Sequence, residues 1–173
     1  MKKCLIVVDY QIDFVSGALG FEKAVLLDEK IAEKIDMYHQ NNDEVIFTFD
    51  THKADYLNTQ EGKNLPIEHC IENTEGHKLY GKTATMQQPE DKCFYKPSFG
   101  SSELFEYLKN REYETIELCG VVSNICVISN AILAKTAQPE TEIIIDSNAI
   151  ASNDDKLNNC AIEVMKSLQI KVV

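Results

Sequence analysis

Four side chains that could take part in chemistry stand near the ends of apolar segments: Asp9, Asp50, Lys96 and Cys126. A cysteine thiolate is a nucleophile, a carboxylate can accept and return a proton, and an ammonium group stabilises negative charge beside it. If Ser123 caps the next helix, Cys126 lies in its first turn, where the helix dipole and a nearby lysine would favour the thiolate. An unpaired backbone N–H of that turn could donate a hydrogen bond to an oxyanion. These residue types together favour nucleophilic catalysis by cysteine.

Each of these residues has a simpler interpretation when it is taken alone. Polar residues commonly begin loops, and Cys126 could be a buried, inert thiol, which is how we interpret Cys4, Cys119 and Cys160. The hypothesis of catalysis therefore requires all four side chains to lie close together in the folded protein.

A second group of residues has the composition of a metal site. Asp50 and His52 stand two residues apart, and Glu61 and His69 lie further along the same polar segment. Carboxylate and imidazole ligands suit zinc, iron or manganese. Histidines in loops are more often simply solvated, and we interpret the two remaining histidines, His39 and His77, as surface residues.

The elements that must position these groups alternate between strands and helices. Buried strands are predicted at Cys4–Val8, Val45–Phe49, Cys93–Tyr95, Thr115–Cys119, Thr141–Ile145 and Ile170–Val173. Helices are predicted at about 24–40, 104–108, 123–137 and 152–168. The first helix is expected to face the core with Leu27, Ile31, Ile35 and Tyr38. The last is expected to face it with Leu157, Ala161, Val164 and Leu168. Residues 51–90 show no strong periodicity.

This alternation predicts an α/β fold with three layers, in which helices cover both faces of a mostly parallel sheet. Ligands of such sheets bind at the carboxyl ends of the strands, where the strand order reverses. We therefore expect the reactive side chains to converge at that edge.

Size and charge exclude several classes of function. A chain of 173 residues fits one domain, at 1–173, and its formal net charge of −11 argues against binding nucleic acid or an anionic membrane surface. The first apolar run, Cys4–Val8, is too short to span a bilayer and lacks a small-residue cleavage site after it. We therefore expect a cytoplasmic protein whose six cysteines are reduced.

Three motifs, in order along the chain, resemble those of the isochorismatase-like cysteine hydrolases. The run from Val8 to Phe14 is similar to V-D-x-Q-x-D-F, a lysine follows the third strand as Lys96, and the run from Gly120 to Cys126 is similar to G-[VI]-x-[ST]-x-x-C. The resemblance implies that Asp9, Lys96 and Cys126 are catalytic. It also implies a six-stranded sheet in the order 3-2-1-4-5-6, a cis peptide bond between Val121 and Val122, and an oxyanion hole made by the N–H groups of Val122 and Cys126.

Within that family the chain resembles the nicotinamidases. Their Asp-x-His pair corresponds to Asp50 and His52, and their later histidine to His69, with Glu61 as the candidate fourth ligand of a divalent metal, zinc first, or iron or manganese. The resemblance implies hydrolysis of a small amide, first of all nicotinamide to nicotinate and ammonia through a thioester, with Phe14 and Phe99 packing on the ring. Family members are often dimers or tetramers, so a homo-oligomer is compatible with it.

Three alternatives remain open from the sequence. One is a family hydrolase without a metal that acts on another amide, carbamoyl or vinyl-ether substrate. Another is a non-catalytic receiver-like domain, although Asp9 is followed by Tyr10 and Gln11 rather than by a second acidic residue. The third is a thiol redox sensor that uses Cys126.

Overall fold

The fold is built on one parallel sheet of six strands. A computed structural model describes all residues from Met1 to Val173. The strands are β1 Lys2–Val8, β2 Glu44–Asp50, β3 Lys92–Lys96, β4 Tyr113–Val121, β5 Glu142–Ala151 and β6 Lys171–Val172, and they lie in the order β3-β2-β1-β4-β5-β6. Every neighbouring pair is parallel. The predicted α/β class and strand order are confirmed.

Helices cover both faces of this sheet, as the sequence predicted. The main helices are α1 Ile12–Val15, α2 Glu22–Val25, α3 Asp28–Gln40, α4 Gln60–Asn64, α5 Gly81–Met86, α6 Ser102–Lys109, α7 Ile128–Ala137 and α8 Asp155–Ser167. Two separate apolar clusters result, of 19 and 18 buried residues, one on each side of the sheet. The predicted inward stripe of α3 is buried in the first cluster: Leu27, Ile31, Ile35 and Tyr38. No helix is long and apolar enough to cross a bilayer.

Strand β1 is central because its residues are apolar on both faces. Its side chains from Cys4 to Val8 are fully buried, which is the pattern expected of a parallel strand covered from both sides. At its carboxyl end β1 pairs with β4, with Val8 opposite Gly120. A Cβ atom on Gly120, whose φ is +110°, would stand 2.2 Å from the carbonyl oxygen of Val8. Glycine therefore allows the two strands that precede Asp9 and Cys126 to approach each other.

The segment 51–90, which shows no strong periodicity, contains α4, α5 and a 3₁₀ turn at Tyr56–Asn58, which are too short to produce one. Two local predictions elsewhere were wrong. Strand β5 does not end before Asp146 but continues to Ala151, with a register shift against β4 after Leu118. Residues 123–127 form a π-helical turn before α7, and Ser123 does not cap it.

The inward face of α8 also differs from its prediction. Ala161 and Met165 are buried, whereas Leu157, Val164 and Leu168 are 40–47% exposed. The helix packs beside β6, which has only two residues, so the sheet offers little surface to cover the rest of the stripe. The helix begins after Asp154 rather than at 152, because the side chain of Asp154 caps it by accepting a hydrogen bond from the Leu157 N–H.

Candidate active site and metal centre

Three reactive side chains meet at the carboxyl ends of the central strands. The ammonium nitrogen of Lys96 lies 2.6 Å from Oδ2 of Asp9 and 3.6 Å from Sγ of Cys126. All three residues are buried, with exposures of 4% or less. This arrangement brings a nucleophile, a proton acceptor and a cation into one contact group.

The ends of three strands hold these side chains. Asp9 follows β1 with a left-handed backbone conformation, φ +46°, and its Oδ1 accepts a 2.7 Å hydrogen bond from the Thr48 hydroxyl of β2. Lys96 is the last residue of β3 and donates a further hydrogen bond to the carbonyl of Ser98. Cys126 lies in the π-helical turn after β4. The strand order 3-2-1-4 therefore places Asp9 between Lys96 and Cys126.

The electrostatics of this group act against one expectation from the sequence. Burial raises the pKa of the Cys126 thiol well above its ordinary value, the Asp9 charge adds to this, and Lys96 opposes both. Burial thus works against the thiolate that the helix dipole and Lys96 were expected to favour.

The two partners of the thiol have shifted pKa values as well. Burial raises the pKa of Asp9, against the opposing charge of Lys96. Burial would lower the pKa of Lys96, but the charges of Asp9 and Cys126 raise it above its ordinary value. A cationic lysine beside a carboxylate of raised pKa is an arrangement in which the carboxylate can accept a proton from the thiol.

Backbone groups beside Cys126 are available to a substrate oxygen. The peptide bond between Val121 and Val122 is cis, as the family resemblance implied. The Val122 N–H makes no hydrogen bond within the protein. Both Val122 and Cys126 line the same cavity, so an oxyanion formed there would find an unpaired donor.

That cavity has a volume of about 230 Å³ and is mostly apolar. Phe14 and Phe99 line it as the sequence predicted. The sequence did not single out the other wall residues, which the fold brings in from separate loops: Leu19, Phe21, Leu65, Ile125 and Asn153. Asp50, Glu61 and His69 form its polar side. The cavity therefore connects the thiol with the second group of candidate residues.

The four residues of that second group form a compact cluster. One ligand atom from each of Asp50, His52, Glu61 and His69 lies within 4.8 Å of all the others. His52 Nε2 and His69 Nε2 stand 2.9 and 3.4 Å from Oδ2 of Asp50, and 3.8 and 3.7 Å from Oε1 of Glu61. Ligands at about 2.0–2.2 Å from a tetrahedral zinc ion are roughly 3.3–3.6 Å apart. The cluster therefore fits such an ion.

Hydrogen bonds orient this cluster from outside. His69 Nδ1 lies 2.8 Å from the carbonyl oxygen of Ile67, to which Nδ1–H donates, so Nε2 is the ring nitrogen that faces the cluster. The amide of Gln11 accepts from the Asp50 N–H at 2.8 Å and donates to the Asp50 carbonyl at 3.0 Å. Asp13 accepts from the N–H of Cys70, the residue after His69. The two polar residues that follow Asp9 in its motif thus hold backbone at the metal cluster.

Charge within the cluster also agrees with cation binding. Burial opposes ionisation of Asp50, but hydrogen bonds from His52 and His69 lower its pKa below the ordinary range. Burial and the charge of Asp50 raise the pKa of Glu61. A buried carboxylate and a partly buried one beside two histidines form a donor set that a divalent cation would neutralise.

A family model described as the isochorismatase domain matches residues 3–173. The chain belongs to the isochorismatase family. A curated relative from Bacillus subtilis (strain 168), described as an uncharacterized isochorismatase family protein, PncA, is 31% identical over 163 residues, which cover 88% of this chain and 87% of the relative.

Solved structures of the family extend this match to the whole fold. The crystal structure of nicotinamidase/pyrazinamidase PncA from Bacillus subtilis superposes with a TM-score of 0.89 at 29% identity and full coverage of both chains. That of the pyrazinamidase of Pyrococcus horikoshii in complex with zinc has a TM-score of 0.85 at 26% identity, covering 100% of this chain and 99% of the other. Isochorismatase-family members with amidase names therefore share this architecture.

The isochorismatase fold brings together every residue that the sequence singled out as catalytic or metal-binding. The interpretations that were wrong concern residues to which the sequence assigned no role in the site. His77 is half-buried and shares a 2.8 Å hydrogen bond with Thr51, and His39 pairs with Asp91 at the same distance, so neither is a simple surface histidine. Cys160 is exposed rather than buried. A lone histidine or cysteine carries no spacing signal that would have revealed these positions.

Proposed function

We propose that this isochorismatase-family protein hydrolyses the carboxamide of a small aromatic ring, with nicotinamide as the first candidate substrate. The observation that carries the proposal is the contact group of Asp9, Lys96 and Cys126 at one side of a small apolar cavity whose polar side is a metal-type cluster. The nicotinamidase and pyrazinamidase names of similar family members support it. In this proposal, residues 1–173 form one hydrolase domain.

In the first half-reaction, Cys126 Sγ attacks the carbonyl carbon while its proton moves to Asp9. The carbonyl electrons move to oxygen, and the N–H groups of Val122 and Cys126 stabilise the resulting oxyanion. When the carbonyl re-forms, the C–N bond breaks and Asp9 returns the proton to the departing nitrogen. Ammonia leaves, and the acyl group remains on Cys126 as a thioester.

In the second half-reaction, Asp9 accepts a proton from water as the water oxygen attacks the thioester carbon. The C–S bond then breaks, and the same proton returns to Cys126, which regenerates the neutral thiol and releases the carboxylic acid. Lys96 remains protonated throughout and stabilises the negative charge on Asp9 and on the sulfur. This role agrees with its contact distances to both groups.

The residues Asp50, His52, Glu61 and His69 would hold a divalent metal, zinc in the first instance, with iron or manganese compatible with the same donors. A bound metal supplies an electrophilic contact for the ring nitrogen of the substrate. The apolar walls that include Phe14 and Phe99 would pack on the ring and exclude water from the thioester.

The test is ammonia release from nicotinamide by the purified protein, with Cys126→Ala and Cys119→Ala compared as matched variants. Cys119 is equally buried but lies in β4 and does not line the cavity. We expect Cys126→Ala to abolish turnover and Cys119→Ala to retain it. Normal turnover in Cys126→Ala would refute the proposed mechanism, and no ammonia from the unmodified protein would refute nicotinamide as substrate.

A substrate screen separates the remaining family activities. Ammonia release from pyrazinamide and from small ureido compounds would be measured with and without a chelator. Ammonia release from a ureido compound alone, unaffected by the chelator, would favour a metal-free member of the family. Oxidation of the Cys126 thiol by peroxide, in a protein that turns over none of these amides, would favour the redox sensor.

A further inference from the structure

One fully buried amide side chain, outside the contact group of Asp9, Lys96 and Cys126, joins the nucleophile to the wall of the cavity. Asn130 lies in α7, four residues after Cys126, and is 0% exposed. Its Nδ2 donates to the carbonyl of Cys126 at 2.8 Å and to the carbonyl of Phe99 at 3.1 Å. Its Oδ1 accepts from the N–H of Ser101 at 3.0 Å. Both amide hydrogens and the amide oxygen therefore have partners.

These three contacts connect two segments that carry different parts of the site. One is the π-helical turn of Cys126. The other, residues 96–101, begins with Lys96, contains the cavity residue Phe99 and ends at Ser101, the N-cap of α6. Lys96 is held to the same segment by its hydrogen bond to the carbonyl of Ser98. Asn130 thus bonds directly to the backbone of the nucleophile and of the segment that begins with the cation.

We propose that Asn130 is a positioning residue that fixes Cys126 relative to the segment of Lys96 and Phe99. The inference rests on the proposed function for its kinetic consequences. A displacement of about 1 Å between a nucleophile and the groups around it can reduce a rate on the order of 100-fold. Covalent geometry alone does not set the separation of these two segments, because they follow different strands, β3 and β4.

The competing explanation is that Asn130 only stabilises the contact between α6 and α7. The chain offers a matched residue for that comparison. Gln138, at the other end of α7, is also buried, and its Nε2 donates to the carbonyls of Leu108 and Arg111 at 2.9 and 3.2 Å, while its Oε1 accepts from Thr141. It joins the same two helices at the end away from the cavity.

The experiment compares Asn130→Ala, Asn130→Asp and Gln138→Ala in the full chain. Asn130→Asp has nearly the same shape and keeps the acceptor for Ser101, but it loses both donated hydrogen bonds. Three measurements are made on each variant: urea unfolding, kcat and KM for nicotinamide, and the rate of Cys126 alkylation by iodoacetamide, followed by peptide mass spectrometry. Alkylation at Cys126 does not depend on which amide is the substrate.

We expect both Asn130 variants to lower kcat roughly 10- to 100-fold and to change the alkylation rate of Cys126 at least about fivefold. Gln138→Ala should reduce stability to a similar degree while keeping kcat and the alkylation rate within about threefold of the unmodified protein. Equal kinetic effects of Asn130→Ala and Gln138→Ala would overturn the inference. So would loss of folding in both Asn130 variants alone, because the residue would then be structural.

The two proposals fail in different ways. If the unmodified protein releases no ammonia from nicotinamide, the proposed function fails, yet the alkylation rates still decide the role of Asn130. If turnover is normal and the alkylation rate of Cys126 is unchanged in both Asn130 variants, only the positioning role fails.

Discussion

The ammonium nitrogen of Lys96 and the carboxylate of Asp9 form a 2.6 Å ion pair from which solvent is excluded. Each charge has lost its hydration, so each depends on the other for stabilisation. The same carboxylate stands beside a thiol whose pKa burial raises. The carboxylate of the pair is therefore placed to take up the thiol proton as sulfur attacks a substrate.

Lys96→Met should lower both stability and turnover. Removal of one partner of a buried ion pair leaves an uncompensated charge on Asp9 and costs about 3–5 kcal/mol in the free energy of unfolding. We expect kcat/KM for nicotinamide to fall by more than about 100-fold, since sulfur and Asp9 lose their cation.

The matched control is Lys34→Met. The side chain of Lys34 is 12% exposed and pairs with Glu117 and Asp146 at 2.7 Å each, and none of the three residues lines the cavity. It should destabilise the protein and leave kcat/KM within about threefold. A Lys96→Met protein with full activity would contradict the role assigned to the lysine.

His69→Ala should reduce zinc binding because it removes one of the four proposed ligands. Loss of one ligand or of its supporting contacts is expected to weaken metal affinity on the order of 100-fold or more. The measurement is equilibrium dialysis with zinc, with bound metal determined by mass spectrometry. His39→Ala serves as control, since His39 pairs with Asp91 and is not part of the cluster. Equal zinc affinity in both variants would place the metal elsewhere.

Gly120→Ala should be strongly destabilising. The new methyl group would have to enter the space of the Val8 carbonyl, 2.2 Å away, on a backbone with φ +110°. We expect a loss of about 2–5 kcal/mol in the free energy of unfolding. In Gly100→Ala the nearest atom is the end of the flexible Leu133 side chain, at 2.9 Å, so its cost should stay below about 1 kcal/mol. Comparable stability of the two variants would argue against the close approach of β1 and β4.

The ion cluster of Lys34, Glu117 and Asp146 predicts a pH dependence of stability. Although burial opposes it, the hydrogen bond from Lys34 lowers the pKa of Asp146 below its ordinary value. A carboxyl group whose folded pKa is depressed stabilises the fold above its unfolded pKa, and this contribution is lost as the pH falls through the folded pKa. Stability should therefore decline below about pH 4.

Asp146→Asn should reduce that acid-dependent part and lower stability at neutral pH. Urea unfolding between pH 3 and 7 measures both effects, with the exposed Asp36→Asn as control. An unchanged pH profile in Asp146→Asn would show that Asp146 does not contribute to it.

Residues with a short-range pattern could be predicted from the sequence, whereas those placed by long-range contacts could not. The apolar run Cys4–Val8 and the α3 stripe of Ile31 and Ile35 were confirmed because periodicity reflects burial directly. The stripe of α8 was wrong because the face that a helix buries depends on how much sheet lies beneath it. The burial that raises the pKa of the Cys126 thiol also exists only in the folded chain, so the sequence could not reveal it.

The site follows the same division. Asp9, Lys96 and Cys126 were recognisable from motifs, and their convergence follows from parallel strands ending at one edge. Asn130 was not recognisable, because its three partners lie up to 31 residues away along the chain. Such contacts exist only once β3 and β4 have been brought together.

The fourth candidate ligand differs from the other three in how it is held. Glu61 sits on α4, a helix of five residues that Thr59 caps, whereas Asp50 ends β2, His52 pairs with Ile71 in a β-bridge and His69 is hydrogen-bonded to the carbonyl of Ile67. Substitutions in α4 can therefore remove or replace this carboxylate without moving any strand. The coordination number of the metal and the preferred ion can therefore differ among related chains, while the contact group of Asp9, Lys96 and Cys126 stays the same.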